Sequence, residues 1–253
     1  MSNHPYPLRY EFKVTPETGG ALEIHPGIKW VRLPLPFLLG HINVWLIRDN
    51  SSWVIVDTGV HSGDCRKAWR VIFEDEMDFL PVSKVLVTHL HPDHVGCAGW
   101  LCEHFDTGLS MTMNEYLLCR ILVADTGQPA PREGLDFYRA AGFTDEQLEL
   151  YGATFGAFGR VVHPLPLSYT RLRDGTCVEI NGVEWQVIIG RGHSPEHACL
   201  FSDELNMLIS GDQVLPTISP NVSVYPTEPK ANPLKEWIES LQQMKQRLPE
   251  DVL

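Results

Sequence analysis

Six consecutive residues, His89-Leu90-His91-Pro92-Asp93-His94, place three imidazoles and a carboxylate directly after the apolar run Lys84-Val85-Leu86-Val87-Thr88. That run reads as a buried strand, so the donors sit where a strand ends and a loop begins, which is where chemistry collects in open α/β sheets. In an extended segment alternate side chains point the same way. His89 and His91 can therefore grip one metal, while Asp93 and His94, at the turn into a helix, reach toward a second. Nitrogen and oxygen donors of this kind suit zinc, iron or manganese. A lone histidine in an acidic chain reads as a surface or capping residue, but three with a carboxylate at this spacing do not.

The flanking sequence reads as alternating strands and helices. Trp53 to Asp57 is a second apolar run, ended by Thr58-Gly59, and Asp64 to Phe73 between the two runs carries apolar residues at helical spacing. The three segments predict a strand-helix-strand unit with parallel strands. After the histidines, Ala98, Leu101, Cys102 and Phe105 fall at i, i+3, i+4 and i+7, predicting one helix that begins near His94. Met113 to Ala124 and Thr144 to Phe158 read as two further helices separated by the loop Gly127-Gln128-Pro129-Ala130-Pro131, a helical insertion over about 110–160. Thr144 and Gln147 stand in capping-box positions.

Farther on, Cys177 to Ile180 and Val183 to Val187 flank Asn181-Gly182, a hairpin signal, and strands follow at Ala198 to Phe201 and Met207 to Ser210. Asn232 and Pro233 suit the cap and first residue of a helix whose apolar stripe is Leu234, Trp237, Ile238, Leu241 and Leu248. Pro249-Glu250-Asp251 ends it, and Val252-Leu253 begins another apparent strand.

With 253 residues, 43% of them hydrophobic, the chain can bury one large core, and residues 1–253 are expected to form one domain. Twenty basic residues against 32 acidic ones give a net charge of −12, which repels a phosphate backbone, so no nucleic-acid partner is expected. Met1 to Pro7 lacks the charged start and apolar stretch of a secretory leader. The apolar region Leu33 to Ile47 is interrupted by Pro34, Pro36, Gly40, His41 and Asn43, so it cannot span a bilayer as a helix. The expectation is a cytoplasmic protein without a membrane partner. The six cysteines form no C-x-x-C pair and read as reduced, buried thiols.

Thr88-His89-Leu90-His91-Pro92-Asp93-His94-Val95-Gly96 resembles the signature of the metallo-β-lactamase-fold hydrolases. Asp57-Thr58-Gly59 is similar to that family's aspartate turn, Gly192-His193-Ser194-Pro195-Glu196-His197 to its second histidine motif, and Ser210-Gly211-Asp212 to its bridging-aspartate motif. The resemblance implies an α/β fold, an αββα four-layer sandwich, here with the helical insertion. It implies two zinc ions, with iron or manganese as alternatives. His89, His91 and His193 would hold the first metal, Asp93 and His94 the second, and Asp212 would bridge them. Asp93 would be the catalytic carboxylate, orienting a metal-bound hydroxide. Asp57 and His197 read as groups that support the ligands without touching metal.

The family's last histidine has no counterpart, because all eleven histidines precede Asp212. Either the strand that would deliver it lies beyond this sequence, which is the expectation, or the second site is weak. His94 directly after Asp93 and a bridging Asp212 resemble the thioesterase branch typified by glyoxalase II. That implies cleavage of an ester-type bond, foremost a thioester of a small acyl substrate, with a lactonase or a nuclease of the same fold as alternatives. The basic cluster that binds glutathione carboxylates in that branch finds no match near the C-terminus. A small molecule is the expected partner, and a homodimer is left open.

Overall fold

The computed structural model describes residues 9–36 and 39–253; Met1 to Pro7 and part of the Leu33 to Ile47 stretch lie outside the described residues. Seven strands form one sheet in chain order: β1 (Ala21–His25), β2 (Ile28–Pro34), β3 (His41–Asp49), β4 (Ser52–Val56), β5 (Val82–Leu86), β6 (Gly108–Met111) and β7 (Thr170–Arg171). Pairing is antiparallel from β1 to β4 and parallel from β4 to β7. The second sheet has the order β11-β10-β9-β8, from β8 (Cys177–Ile180), β9 (Val183–Gly190), β10 (His197–Ser202) and β11 (Met207–Ile209), all antiparallel.

The two-residue period of the strands explains why the sheets are covered on both faces. In β4, Trp53 and Ile55 face one core, while Val54 and Val56 face another shared with Trp185, Val187, Ala198 and Leu200 of the second sheet. In β10, Ala198 and Leu200 point to that inter-sheet core, while Cys199 and Phe201 pack with Met244 of α7 (Pro233–Arg247). The outer face of the first sheet is covered by α1 (Gly63–Asp75) and α3 (Ala98–Phe105) through Trp69, Ile72, Phe73 and Leu101. Helix, sheet, sheet and helix make the αββα sandwich. Its parallel β4-α1-β5 unit ends at Asp57 and Thr88, so the histidine motif emerges at the carboxyl edge of the sheet.

Several elements depart from the sequence reading. The helix expected to start near His94 is split into α2 (Pro92–Val95) and α3, because Cys97 leaves helical conformation and its N–H donates to the Gly59 carbonyl (2.9 Å), which packs tightly on Gly96. A Cβ there would meet the Pro92 oxygen at 2.4 Å and the Gly59 oxygen at 2.6 Å. Between β6 and β7 stand three helices: α4 (Met113–Ala124), α5 (Arg132–Ala140) and α6 (Asp145–Thr154), of which α5 was not anticipated. α6 stops at Thr154, and a short 3-10 turn follows at Phe158–Arg160. The capping box at Thr144 and Gln147 is formed.

The stripe expected along α7 is only partly covered, since Leu234 is 56% and Ile238 44% exposed while Ser240 and Met244 are buried. The Asn181-Gly182 turn has both residues at positive φ, 52° and 79°, as a tight hairpin requires. Leu253 lies beside β11, accepting from Leu208 N (2.8 Å) and donating to Asn206 O (3.0 Å). All six cysteines are free and five are buried, Cys177 being exposed. Among the described residues no helix is long and apolar enough to cross a membrane.

Trp69 joins the outer core to the site's edge: it is fully buried, and its indole N–H donates to the Thr58 carbonyl at 2.8 Å. Trp69→Ala should lower unfolding stability by about 3–5 kcal/mol in urea denaturation. A loss under about 1 kcal/mol would show that this contact does not anchor the fold.

Candidate metal centre

The site is organised by Asp57, the first residue past β4, held at a φ of 63°. Its carboxylate is almost fully buried and accepts from Thr88 N (2.8 Å), from the Thr88 hydroxyl (2.8 Å to Oδ2) and from His94 Nδ1 (2.8 Å). Next to it, Thr58 N and Oγ1 both donate to the His94 carbonyl, at 2.8 and 2.7 Å. The ends of β4 and β5 are thereby tied to α2, and the histidine loop has one shape.

Counting protons along this network fixes the tautomers. A carboxylate only accepts, so the single Thr88 hydroxyl proton goes to Asp57. Thr88 Oγ1 must then accept from His89 Nδ1, 3.0 Å away, which leaves a lone pair on His89 Nε2. His193 Nδ1 donates to the Asn221 carbonyl at 2.8 Å, so its Nε2 also carries a lone pair. These two Nε2 atoms lie 3.2 Å apart, and His91 Nδ1 is 3.0 Å from His89 Nε2. Two lone pairs at that separation repel unless a cation lies among them. Burial, and behind it the crowding of neighbouring imidazoles, pushes the pKa of His89 well below its ordinary value and that of His91 down to about 3. The cluster is held neutral, the form that binds metal.

A second set lies on the far side of Asp212. His94 Nε2 is buried without a hydrogen-bond partner among the described residues, 3.2 Å from Asp212 Oδ1. Burial alone would lower the His94 pKa, but Asp57 and Asp212 outweigh it and raise it well above the ordinary value, so the two carboxylates favour a positive charge, either a proton or a metal ion, at Nε2. Burial likewise opposes ionisation of Asp212, yet His94 and His193 hold its carboxyl well below the usual carboxylate range. The ligand-spaced groups are His89, His91 and His193, and His89, His94 and Asp212. They overlap at His89, whose one free nitrogen can serve a single ion, so the second set rests on His94 and Asp212. Asp93 stands at its rim, Oδ2 3.7 Å from His94 Nε2 and 22% exposed.

Two sequence-flagged residues sit in support. Asp57 orients His94 as described, and His197 Nε2 accepts from Asp212 N at 3.1 Å, so that nitrogen is not free for metal. His197 also packs on Gly211, where a Cβ would meet its ring atoms at 2.6 Å, so only glycine lets Asp212 approach. Sequence reasoning missed Thr88 as the proton bridge and missed Glu115 of α4 altogether. Glu115 is fully buried and accepts from Leu90 N (2.9 Å) and Glu196 N (2.7 Å), clamping the two histidine loops to one carboxylate. Burial pushes its pKa up to about 7 against those donors.

The sequence profile of the metallo-beta-lactamase superfamily matches residues 38–253. The chain belongs to this superfamily. The structure of a beta-lactamase domain protein from Burkholderia ambifaria superposes with a TM-score of 0.85 at 42% identity, covering 95% of this chain and 69% of that one. A metallo-beta-lactamase family protein from Thermus thermophilus gives 0.74 at 26% identity, covering 87% of this chain and 70% of that one. The chain is also 24% identical over 231 residues to the probable metallo-hydrolase YqjP of Bacillus subtilis, covering 85% of this chain. It spans between 61% and 67% of the length of the curated relatives it matches.

The superfamily fold binds metal ions, and the residues here fit them: His89, His91, His193, His94 and Asp212 could form a metal site. The facing lone pairs and the unpartnered His94 nitrogen are the observations that say so. Thr88→Val removes the bridging hydroxyl at nearly constant shape and frees the His89 tautomer. It should weaken metal binding about 10–100-fold in a chelator competition. Affinity within twofold of the parent would refute the relay.

Proposed function

We propose that this superfamily member is a metal-dependent hydrolase that cleaves an ester-type bond, with a thioester of a small acyl group as its substrate class and two zinc ions as its cofactor. Asp212 carries the reading: Oδ1 lies 3.2 Å from His94 Nε2 and Oδ2 3.6 Å from His193 Nε2, so one carboxylate serves both donor sets. Superfamily membership and the likeness to a probable metallo-hydrolase support the hydrolytic part. Three imidazoles with a carboxylate are a full set for zinc, and His94 directly after Asp93 supports the thioesterase branch.

A bound zinc pair supplies Lewis acidity, which acidifies water and polarises a carbonyl. The chain's own groups do the rest. Asp57 and the Asn221 carbonyl hold the Nδ1 protons of His94 and His193, so neither ring can turn its donor nitrogen away. Thr88 does the same for His89. Asp93 is more open than the buried histidines, and its carboxylate takes the proton of the attacking water.

Zinc-loaded chain should hydrolyse short acyl thioesters in a panel that includes acyl lactones, a β-lactam and RNA. Asp93→Ala should lose at least about a hundredfold in rate with an unchanged melting curve. Turnover of lactones or RNA without thioesters would overturn the substrate class. Parent-level rates in the variant would remove Asp93 from catalysis.

A further inference from the structure

Beside the His193 loop, at the end of both sheets, lies a cleft of about 230 Å³ lined by Thr112, Arg171, Arg173, Arg191, Asp174 and Glu196, among others. Its three arginines come from two separate parts of the fold. Leu172 is buried and donates to the Met111 carbonyl at 2.9 Å, so Arg171 and Arg173, on either side of this anchor, emerge on one side by strand alternation. Arg191, at the end of β9, is pinned by Ser240 Oγ on its N–H (2.9 Å) and by Gln213 Nε2 on its carbonyl (3.3 Å).

Among the described residues none of these guanidinium groups makes an ion pair or hydrogen bond, although the chain carries 32 carboxylate side chains. The two acids in the lining form no ion pair with them. Asp174 Oδ1 already accepts from Arg247 Nη1 (2.8 Å) and Ile189 N (2.9 Å), and Glu196 Oε2 from Asn114 N (2.9 Å). Three guanidinium groups against one carboxylate outside any ion pair, Glu196, leave the concavity net positive, which favours an anion with several acceptor oxygens. The volume is below the roughly 300–1,000 Å³ of pockets that engulf a drug-sized molecule, so it suits a charged group rather than a whole cofactor.

We propose that this cleft is a binding site for a phosphate-type polyanion, held by Arg171, Arg173 and Arg191. The group arrives either as the phosphorylated end of a substrate's carrier or as a free phosphate ligand. The binding itself is independent of the ester-cleavage reading.

Pyrophosphate titrated calorimetrically into the metal-loaded chain at low salt should bind with a Kd below about 1 mM and weaken as salt is added. The double variant Arg171→Ala, Arg173→Ala should raise that Kd at least about tenfold. Both side chains are exposed, so the variant should melt like the parent. Absence of binding to the parent, or a Kd within twofold in the variant, overturns the site; the latter also identifies pyrophosphate on the metals themselves. Two further arms locate the source of the anion. A rise in KM for a coenzyme A thioester relative to an uncharged thioester assigns it to the substrate's carrier. An unchanged ratio, with pyrophosphate binding lost in the variant, assigns it to a free ligand.

Discussion

One buried carboxylate governs the rest of the site. Asp57 takes hydrogen bonds from the Thr88 backbone, the Thr88 hydroxyl and His94, and each has a consequence elsewhere. The backbone bond joins the ends of β4 and β5. The hydroxyl bond forces the His89 tautomer, and the imidazole bond fixes His94 with its free nitrogen toward Asp212. Asp57 needs a positive φ to do this, a conformation aspartate tolerates better than most residues. Replacing it would leave Thr88 and His94 without an acceptor in the interior, where unmade hydrogen bonds are costly.

The helical segment between β6 and β7 is tied into the same arrangement. The start of α4 holds the second histidine loop through Thr112 Oγ1 on the Glu196 carbonyl (2.7 Å), Asn114 N on the Glu196 side chain (2.9 Å) and Glu115 on Glu196 N (2.7 Å). Glu115 reaches the first loop as well. Glu115 thus spans the His89 and His193 loops, beside the bond from Ala198 N to the Thr88 carbonyl (2.8 Å), and the arginine cleft shares Thr112 and Glu196 with this clamp.

What the sequence reveals follows from how local each signal is. The His89 to His94 run, the Asn181-Gly182 turn and the Asn232-Pro233 helix start are legible because their geometry is decided within a few residues. Cross-chain partners are not. Glu115 sits in Met113-Asn114-Glu115-Tyr116, where a glutamate in a first helical turn reads as solvated, and only the tertiary fold buries it. Arg171 and Arg173 are neighbours on one segment, but Arg191 joins them only when the two sheets stack. α5 escaped because Arg132, Glu133, Asp136 and Arg139 give it a charged surface with a single buried residue, Gly134. The split after Gly96 is hidden because the apolar spacing of α3 continues the phase of α2, while the break comes where Cys97 N bonds the carbonyl of Gly59, far away in sequence.

The hydrogen-bond network selects which nitrogen of His89, His94 and His193 faces the metal, and the close approach of His91 Nδ1 to His89 Nε2 places His91 with them. Crystals of the zinc-loaded chain, with anomalous scattering recorded at the zinc edge, test it directly. One peak is expected within coordination distance of His89 Nε2, His91 Nδ1 and His193 Nε2, and a second, of equal or lower occupancy, between His94 Nε2 and Asp212. A peak bonded to His91 Nε2, or metal that leaves His193 or His94 unliganded, would contradict the account.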